Sequence, residues 1–152
     1  MTVSLRRVSL ADSDLLFRWV NEPDALAGKL LTVGLIARGQ HEKWFAARLA
    51  DPETFMWIIE SGQKPVGQLR LMKNNDAYEV DIYVIGEQRG SGIAREALTD
   101  GISMLSRERP GLQTIRARVK PSNERSQRLF DRAGFGLVAR HEDHLVYELT
   151  TN

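Results

Sequence analysis

In the middle of the chain, a short apolar stretch is followed by three glycines and by residues that are typical of the start of a helix. Residues 83–94 read Tyr-Val-Ile-Gly-Glu-Gln-Arg-Gly-Ser-Gly-Ile-Ala. Glycines let a backbone turn sharply and approach a ligand closely. The first N–H groups of a helix have no partner within that helix, and the helix dipole makes them attractive to anions. The segment therefore indicates either a site for a phosphate group, most naturally a pyrophosphate, or a tight turn that binds nothing.

Two common nucleotide-binding motifs do not fit this segment. A P-loop requires Gly-Lys-Ser or Gly-Lys-Thr, and the sequence contains neither. A dinucleotide-binding fingerprint, Gly-x-Gly-x-x-Gly, requires a third glycine after the pair Gly90-x-Gly92. It also requires an acidic residue about 20 positions later, within a βαβ unit. Here the turn follows predicted antiparallel strands late in the chain, so neither a P-loop nor a dinucleotide fold is expected.

A second polar segment lies about 30 residues further on. Residues 119–135 read Val-Lys-Pro-Ser-Asn-Glu-Arg-Ser-Gln-Arg-Leu-Phe-Asp-Arg-Ala-Gly-Phe. Local chemistry explains this segment as a capped helix, because Ser122 or Asn123 caps its start and Gly134 ends it. Taken alone, the segment says nothing about function.

Taken together, the two segments resemble the GCN5-related N-acetyltransferase (GNAT) superfamily. Arg89-x-x-Gly-x-Ala is similar to the cofactor motif of that family. Asn123-x-x-Ser-x-x-Leu-Phe-x-x-x-Gly-Phe is similar to the motif that follows it, and its Asn-x-x-Ser start is typical of the RimL-like branch. The helix and strand between the two motifs match the family order, so the resemblance is specific over residues 78–135.

The resemblance implies acetyl-CoA as co-substrate and direct transfer of the acetyl group from its thioester to an amine. It implies that backbone amides of the glycine turn hold the pyrophosphate, that the preceding strand end contacts the pantetheine, and that Asn123 lies near the sulfur. Backbone donors aimed at the thioester oxygen would stabilise the developing oxyanion. The implied cofactor-binding residues are Ile82, Tyr83, Val84, Arg89, Gly90, Ser91, Gly92, Ile93, Ala94, Arg95 and Asn123.

The resemblance leaves the catalytic acid and base open. Many family members place a tyrosine seven residues after the motif asparagine, but this chain has Phe130 there. Ser126 is the first candidate for the acid that serves the leaving thiolate, and Tyr83 is the second. An ammonium substrate also needs a base. The candidate bases are Glu79, Asp81 and His41. Each candidate also has an ordinary structural interpretation, as a surface hydroxyl, a packed aromatic ring, a solvated carboxylate or a structural histidine.

The acceptor side of such folds is built from the first two helices, their loop and the final hairpin. Segments 19–23 and 41–45, with 55–59 and 66–70, look like acetyltransferases of the pseudaminic-acid pathway, which acetylate the amine of a nucleotide-linked amino sugar. On that interpretation Trp19 and Trp44 stack on a base or sugar, unless they are simply core. The arginines expected to meet phosphates are Arg70, Arg116 and Arg118.

Two alternatives to an amino-sugar acceptor stay open. The first is RimL-like acetylation of a protein N-terminus or of a small amine such as a polyamine or an antibiotic. A polyamine acceptor would require a strongly acidic groove, and the sequence does not indicate one. The second is a non-catalytic module that binds CoA as a sensor, and only the absence of a tyrosine at Phe130 favours it.

The elements that must position these segments form an α/β pattern. The predicted order is strand, two helices, three strands, helix, strand, helix and two strands, which gives a mixed sheet, antiparallel first and parallel later. This order matches the GNAT fold, a splayed mixed sheet of about six or seven strands with about four helices. The predicted strands are 3–8, 55–60, 66–72, 78–85, 114–119, 135–140 and 145–149.

The predicted helices are less regular in their boundaries. They cover residues 12–20, 40–49, the stretch between the turns at 90–92 and 109–111, and the stretch from 121 to just before Gly134. Residues 21–24 are predicted to stop the first helix, and 26–39 are predicted to form a loop. Two faces are predicted as well. Val80, Ile82 and Val84 point to one side of their strand, opposite to Asp81 and Tyr83, while Trp44, Phe45 and Leu49 form the buried side of the second helix.

Composition limits the remaining choices. The 152 residues amount to one domain, 1–152, and a net charge of +1 gives no reason to expect nucleic acid or an anionic membrane as a partner. The lack of cysteine excludes a disulfide framework, a thiolate metal site and a cysteine nucleophile, and it fits a cytoplasmic protein. No apolar run approaches the ~20 residues that span a bilayer, no signal peptide is evident, and no clustering of ligands indicates a metal.

Positive charge is concentrated in one segment of the chain, although the net charge is close to zero. Between Arg107 and Arg140 the chain has eight arginines and one lysine against three acidic residues. This basic segment is either a solvated flank or a surface that attracts a phosphorylated cofactor or substrate. Proteins of the family often form homodimers, so a homodimer is also expected, although no residue of the sequence identifies an interface.

Overall fold

The computed structural model describes residues 2–27 and 35–151. Its strands are β1 (Val3–Arg7), β2 (Thr54–Ser61), β3 (Lys64–Asn74), β4 (Ala77–Val84), β5 (Thr114–Val119), β6 (Gly136–Arg140) and β7 (Leu145–Thr150). Its helices are α1 (Ser13–Val20), α2 (Pro23–Ala27), α3 (Arg38–Ala50), α4 (Ile93–Glu108) and α5 (Glu124–Arg132). Short 3-10 turns occupy Leu10–Asp12 and Gly86–Gln88.

The seven strands form one mixed sheet in the order β1-β2-β3-β4-β5-β7-β6. The first four strands pair with one another in antiparallel fashion, β4 and β5 are parallel, and β7 pairs antiparallel with both β5 and β6. A parallel pair needs a crossover connection, and α4 supplies it between β4 and β5. The predicted mixed α/β sheet, antiparallel first and crossing over later, is therefore confirmed.

The sheet buries an apolar cluster on each face. The larger cluster joins α4 and α5 to the sheet around Trp57, Leu98 and Ile115. The smaller cluster joins α1 and α3 to the opposite face through Leu16, Trp19, Phe45, Met56 and Ile58. Val80, Ile82 and Val84 pack with the larger cluster and Tyr83 with the smaller one, as the alternation along the strand predicts.

Helix α4 lies close against the sheet because small residues occur at the contact. Its buried positions follow three- and four-residue steps, which is the spacing of one helix face. They are Ile93, Ala97, Leu98, Gly101 and Leu105. A Cβ atom at Gly101 would overlap the side chain of Leu69, so any larger residue would force that buried side chain to move. The close packing fixes the helix start beside the end of β4.

The other end of α4 is held by a charged cluster around Glu53. Its carboxylate accepts hydrogen bonds of 2.8 Å from both the Tyr78 hydroxyl and Arg109 Nε. Those two bonds, that of Tyr78 first, lower the pKa of Glu53 to about 2. The carboxylate therefore stays ionised at neutral pH and ties the helix end to β4 and to the turn before β2.

Two predictions about the first half of the chain were wrong, and one short helix was not predicted. Residues 21–24 end the first helix as predicted, since α1 stops at Val20, but Pro23 then begins a second helix, because a proline at the first helical position loses no hydrogen bond. Helix α3 begins at Arg38, inside the predicted loop, of which residues 28–34 lie outside the described part of the chain. Trp44 is 36% exposed rather than buried, and the guanidinium of Arg70 lies 4.8 Å from the centre of its ring.

The start of α5 was also predicted slightly early. The helix begins at Glu124 rather than at residue 121, and Asn123 is its N-cap, with the side-chain oxygen accepting from the backbone N–H of Ser126. Of the two predicted caps, the asparagine is therefore the one that works. Within the described residues, no helix is both long and apolar enough to cross a bilayer.

Candidate functional site

A large cavity opens where β4 and β5 separate. The two strands pair only at Tyr78 with Ile115 and at Glu79 with Arg116, although β4 continues to Val84 and β5 to Val119. The gap beyond these pairs holds a cavity of about 810 Å³. Its walls are the end of β4, the turn and first residues of α4, and one face of α5. A volume of this size is in the range that takes a cofactor-sized ligand.

The start of α4 presents unpaired backbone donors to this cavity. The N-cap, Gly92, has φ +81°, a left-handed conformation that favours glycine, and a Cβ atom there would meet no atom within 4 Å. Within the described residues, no group accepts a hydrogen bond from the backbone N–H groups of 90–95. These donors and the helix dipole together make an anion site.

All the predicted cofactor-binding residues lie along the same cavity. They are Ile82, Tyr83, Val84, the continuous run 89–95, and Asn123. Beyond Glu79 the edge of β4 that faces β5 has no strand partner. One of its carbonyl groups is already engaged, because Val84 O accepts a 2.9 Å hydrogen bond from Arg89 Nε.

An acidic residue that the sequence did not reveal closes one side of this cavity. Asp24 of α2 forms a 2.6 Å ion pair with Arg89 and accepts a 3.2 Å hydrogen bond from the Tyr83 hydroxyl. Burial alone would raise the pKa of Asp24, but the hydrogen bond and charge of Arg89 outweigh it and lower the pKa. An ionised carboxylate therefore links the acceptor-side helix α2 to the turn before α4.

Tyr83 is protonated in this environment. Burial, followed by the charge of Asp24, raises the pKa of Tyr83 to about 12. Its ring lies 6.2 Å from that of Trp19, which fixes its orientation. At neutral pH the phenol can donate a hydrogen bond, but it cannot act as a base.

The first turn of α5 contributes the polar groups opposite β4. Asn123 and Ser126 both line the large cavity, and the cap bond of 3.2 Å between them leaves the asparagine amide nitrogen directed elsewhere. Phe130 is 4% exposed and packs on Phe135 and Tyr147, with ring centres 5.1 and 6.2 Å away. The position where many family members have tyrosine is thus part of the core here.

A second, smaller cavity of about 50 Å³ adjoins the first on the opposite face of β4. The two cavities share Ala25, Asp81 and Tyr83. Asp81 accepts a 2.9 Å hydrogen bond from Gln68 Nε2 and lies 3.7 Å from Arg70. Among the three candidate bases, Asp81 is thus the one that lies where both cavities meet.

The other two candidate bases occupy different positions. Glu79 lines neither cavity, because Asn74 and Arg118 hold its carboxylate at 2.9 Å each. His41 is 4% exposed and lines the smaller cavity, and its Nδ1 atom has no hydrogen-bond partner in the described structure. Burial lowers the pKa of His41, so its imidazole is neutral at neutral pH.

The three arginines predicted to bind phosphates lie in different places. Arg70 lines the smaller cavity beside Trp44, and Arg118 lines the larger one. Arg116 lines neither, because it pairs at 2.8 Å with Glu148. Over the described residues, no group of three or more His, Asp or Glu side chains is placed to hold a metal ion.

Known proteins match the chain at the level of family and fold. A family model described as the acetyltransferase (GNAT) domain matches residues 2–136. No curated protein sequence matches the chain significantly. A domain from Methanocaldococcus jannaschii DSM 2661 has a similar structure, with a TM-score of 0.87 and 22% identity over 99% of both chains.

Two similar structures come from proteins whose substrates are known. Spermidine N-acetyltransferase from Vibrio cholerae, solved with CoA and spermine, has a TM-score of 0.84 and 18% identity, covering 97% of this chain and 95% of that one. Aminoglycoside acetyltransferase AAC(6′)-Ib, solved with coenzyme A, has a TM-score of 0.82 and 17% identity, covering 98% and 95%. At these sequence identities the similarity shows a shared fold, and it does not indicate which acceptor substrate this chain uses.

Proposed function

The chain belongs to the GNAT acetyltransferase family and is an acetyl-CoA-dependent N-acetyltransferase, and from this premise we propose that residues 1–152 act as one domain on the primary amine of a nucleotide-linked amino sugar. The observation that carries the proposal is the meeting of the two cavities at Asp81 and Tyr83. The large cavity accommodates acetyl-CoA, and the smaller one leads the acceptor amine to the same point.

The cofactor lies along the large cavity in this proposal. The unpaired N–H groups of residues 90–95 hold the pyrophosphate, and the free edge of β4 from Ile82 to Val84 holds the pantetheine. Asn123 contacts the cofactor near the sulfur through its amide nitrogen, since its oxygen caps α5. Backbone N–H donors fixed in this way stabilise a developing oxyanion without reorganisation.

The chemistry requires one group to accept a proton and one to serve the leaving sulfur. Asp81 accepts the proton of the attacking amine, directly or through a water, as the new C–N bond forms and the C–S bond breaks. Ser126 donates a hydrogen bond to the departing thiolate. Tyr83, protonated and beside Asp24, is the second candidate for that donor.

Two other residues are weaker candidates for the base. Glu79 lies outside both cavities, so it acts only through an intervening chain of waters. His41 is neutral and lines the acceptor cavity, which makes it the alternative to Asp81. Its partner-free Nδ1 atom is available to an acceptor group.

Arg70 at the smaller cavity supports an acceptor that carries a phosphate. Its guanidinium lies 4.8 Å from the centre of the Trp44 ring, and a planar guanidinium binds phosphate oxygens in pairs. The large cavity is lined by six arginines and four acidic residues. In the smaller cavity Arg70 and Asp81 lie 3.7 Å apart, so their charges balance, and the turnover assay decides between a phosphorylated acceptor and a polycation.

A turnover assay on a panel of amines tests the acceptor. The release of CoA thiol is measured with a nucleotide-linked 4-amino sugar, spermidine, kanamycin and a peptide with a free N-terminus. We expect the amino sugar to give the highest kcat/KM. A higher value for spermidine or kanamycin would transfer the assignment to a small polycation, and a higher value for the peptide would support the RimL-like branch. Binding of CoA without turnover on any amine would favour a sensor module.

The role of Ser126 is tested separately from binding. Replacing Ser126 by alanine should lower kcat about tenfold, the loss of one charge-assisted hydrogen bond, and leave acetyl-CoA binding unchanged. Ser122→Ala is the matched control, because Ser122 is exposed just before α5 and lines neither cavity. A wild-type kcat in the Ser126 variant would leave Tyr83 as the donor.

A homodimer, the cytoplasm as location and the RimL-like or pseudaminic-acid branch all stay predictions of the sequence.

A further inference from the structure

Tyr83 lies where the two cavities meet, and the hydrogen bond of its hydroxyl has a fixed direction. Tyr83 lines both cavities. Its hydroxyl is 3.2 Å from one carboxylate oxygen of Asp24, and Arg89 pairs with the other oxygen at 2.6 Å. The pair with Arg89 keeps Asp24 ionised, and an ionised carboxylate can only accept hydrogen bonds. The phenol of Tyr83 must therefore be the donor of this bond.

Because a phenol has a single proton, this bond decides what the Tyr83 oxygen offers to other groups. The proton points to Asp24, and the lone pairs of the oxygen stay available. Across residues 2–27 and 35–151, no group donates a hydrogen bond to that oxygen. Burial and then the charge of Asp24 raise the pKa of Tyr83 to about 12, so the phenol keeps its proton at neutral pH. The Tyr83 oxygen is thus an unused hydrogen-bond acceptor beside both cavities.

Contacts on two sides hold the phenol in this orientation. The Tyr83 ring packs on Trp19 with ring centres 6.2 Å apart, and the guanidinium of Arg89 lies 5.5 Å from the centre of the Tyr83 ring. Arg89 is itself fixed, since its Nε donates a 2.9 Å hydrogen bond to Val84 O at the end of β4. Asp24, Arg89 and Tyr83 form a closed set of contacts, which we call the α2 bridge because Asp24 belongs to α2. A group held in this way is positioned before a substrate arrives.

We propose that Asp24 is a positioning residue, which holds the Tyr83 oxygen as the hydrogen-bond acceptor for an N–H of the acceptor amine. The inference rests on the proposed approach of that amine to the point where the two cavities meet. An amine that donates an N–H to Tyr83 keeps its lone pair for the acetyl carbon. A phenol that donated its own proton to the amine would occupy that lone pair and block the attack. In this arrangement the Tyr83 proton does not reach the leaving sulfur, which leaves that role to Ser126.

The variant Asp24→Asn should reverse this hydrogen bond without changing the shape of the side chain. The positive charge of Arg89 attracts the amide oxygen, so the amide NH2 group faces Tyr83 and donates to its oxygen. The phenol proton then turns to the cavity and competes for the lone pair of the amine. We expect kcat/KM for the amine to fall about tenfold, the effect of one hydrogen bond, and the affinity for acetyl-CoA in calorimetry to stay unchanged.

Kinetics on matched variants test the inference. Release of CoA thiol is followed with the amine that wild-type protein turns over fastest among a nucleotide-linked 4-amino sugar, spermidine, kanamycin and a peptide with a free N-terminus, since all four carry an N–H. Tyr83→Phe should also lower kcat/KM about tenfold, and Asp24→Asn should add nothing in that background, because both changes remove the same contact. Asp14→Asn is the control. Asp14 also pairs with an arginine, Arg38, at 2.7 Å, but it lines neither cavity, so its variant should keep the wild-type kcat/KM.

The outcomes separate this inference from other roles of the α2 bridge. A loss on Tyr83→Phe with an unchanged or higher rate on Asp24→Asn would mean that the phenol proton serves the leaving sulfur, and the inference would be wrong. Losses that multiply in the double variant would mean that Asp24 acts through Arg89 alone, which also overturns it. A wild-type kcat/KM in Tyr83→Phe overturns it as well, and unchanged thermal unfolding of the variants excludes misfolding as a cause.

The same experiment distinguishes a failure of the proposed function. If spermidine, kanamycin or the peptide is the fastest acceptor, the amino-sugar assignment fails, while the roles of Asp24 and Tyr83 are still decided by the variants. If the wild-type protein binds acetyl-CoA and turns over none of the four amines, both proposals fail.

Discussion

Replacing Gly92 by valine should weaken acetyl-CoA binding about a hundredfold or more while leaving a folded protein. A Cβ atom at this position points into open space in the large cavity, where the proposed pyrophosphate lies on the N–H groups of 90–95. The isopropyl group would cover at least two of those donors. Hydrogen bonds to a charged group contribute about 1.5–3 kcal/mol each, so losing two of them costs about 3 kcal/mol or more, which is about a hundredfold in affinity. Isothermal calorimetry measures the effect.

The matched control for this change is Gly134→Val. Both glycines have a positive φ, +81° at Gly92 and +93° at Gly134, so valine introduces comparable backbone strain at each. Gly134 lies after α5 and does not line the large cavity. We expect both variants to lose a similar amount of unfolding free energy, on the order of 1–3 kcal/mol. Only the Gly92 variant should lose cofactor affinity. Equal affinity in the two variants would remove the pyrophosphate from the start of α4.

Replacing Asp81 by asparagine should lower kcat about a hundredfold or more at neutral pH. A positioned general base typically contributes a factor of about 10² to 10⁴ to the rate, and Asp81 lies where the acetyl-donor and acceptor cavities meet. Asparagine has the same shape and keeps an oxygen that can accept the 2.9 Å hydrogen bond from Gln68. The loss should therefore appear in turnover rather than in acetyl-CoA affinity or in thermal stability.

Glu79→Gln provides the comparison for Asp81→Asn, because the two carboxylates are two residues apart on the same strand face. Glu79 is held by Asn74 and Arg118 outside both cavities, so its replacement should change kcat by less than about threefold, the effect expected of a surface ion pair. A general base must be deprotonated, so the kcat of the wild-type protein should rise with pH on the acidic side of its pH–rate profile. In the Asp81 variant, the part of this rise that comes from deprotonation of the base should disappear. An intact rise in the Asp81 variant, lost instead in His41→Gln, would make the histidine the base.

Several elements followed directly from local sequence. The alternation of Val80, Ile82 and Val84 with Tyr83 placed the correct side chains on each face of β4, because side-chain direction in a strand depends only on its own backbone. The cap of α5 was narrowed to Ser122 or Asn123 for a similar reason, since a cap bond spans three residues, and the structure shows that Asn123 is the cap. The spacing of the two motifs indicated the GNAT fold, which the family match and the similar structures confirmed.

Other features depend on contacts between residues far apart in the chain. Asp24 meets Arg89 across 65 positions, and Arg70 covers Trp44 from a neighbouring strand, so neither partner could be read from its own segment. The same holds for the difference between Asp81 and Glu79. They alternate identically along β4, but the separation of β5 after Glu79 leaves only Asp81 beside a cavity.

The sequence by itself thus determined the order of the strands and of the four longer helices, the faces of β4, the glycine turn and the two candidate caps of α5, because hydrogen bonds and side-chain periodicity within a few residues decide them. Only the tertiary structure decided which carboxylate reaches the reaction site, which arginine pairs with Asp24, and where the two cavities meet. These properties arise from the separation of β4 and β5 and from the packing of helices on both faces of the sheet, and they depend on distances between segments that no local pattern contains.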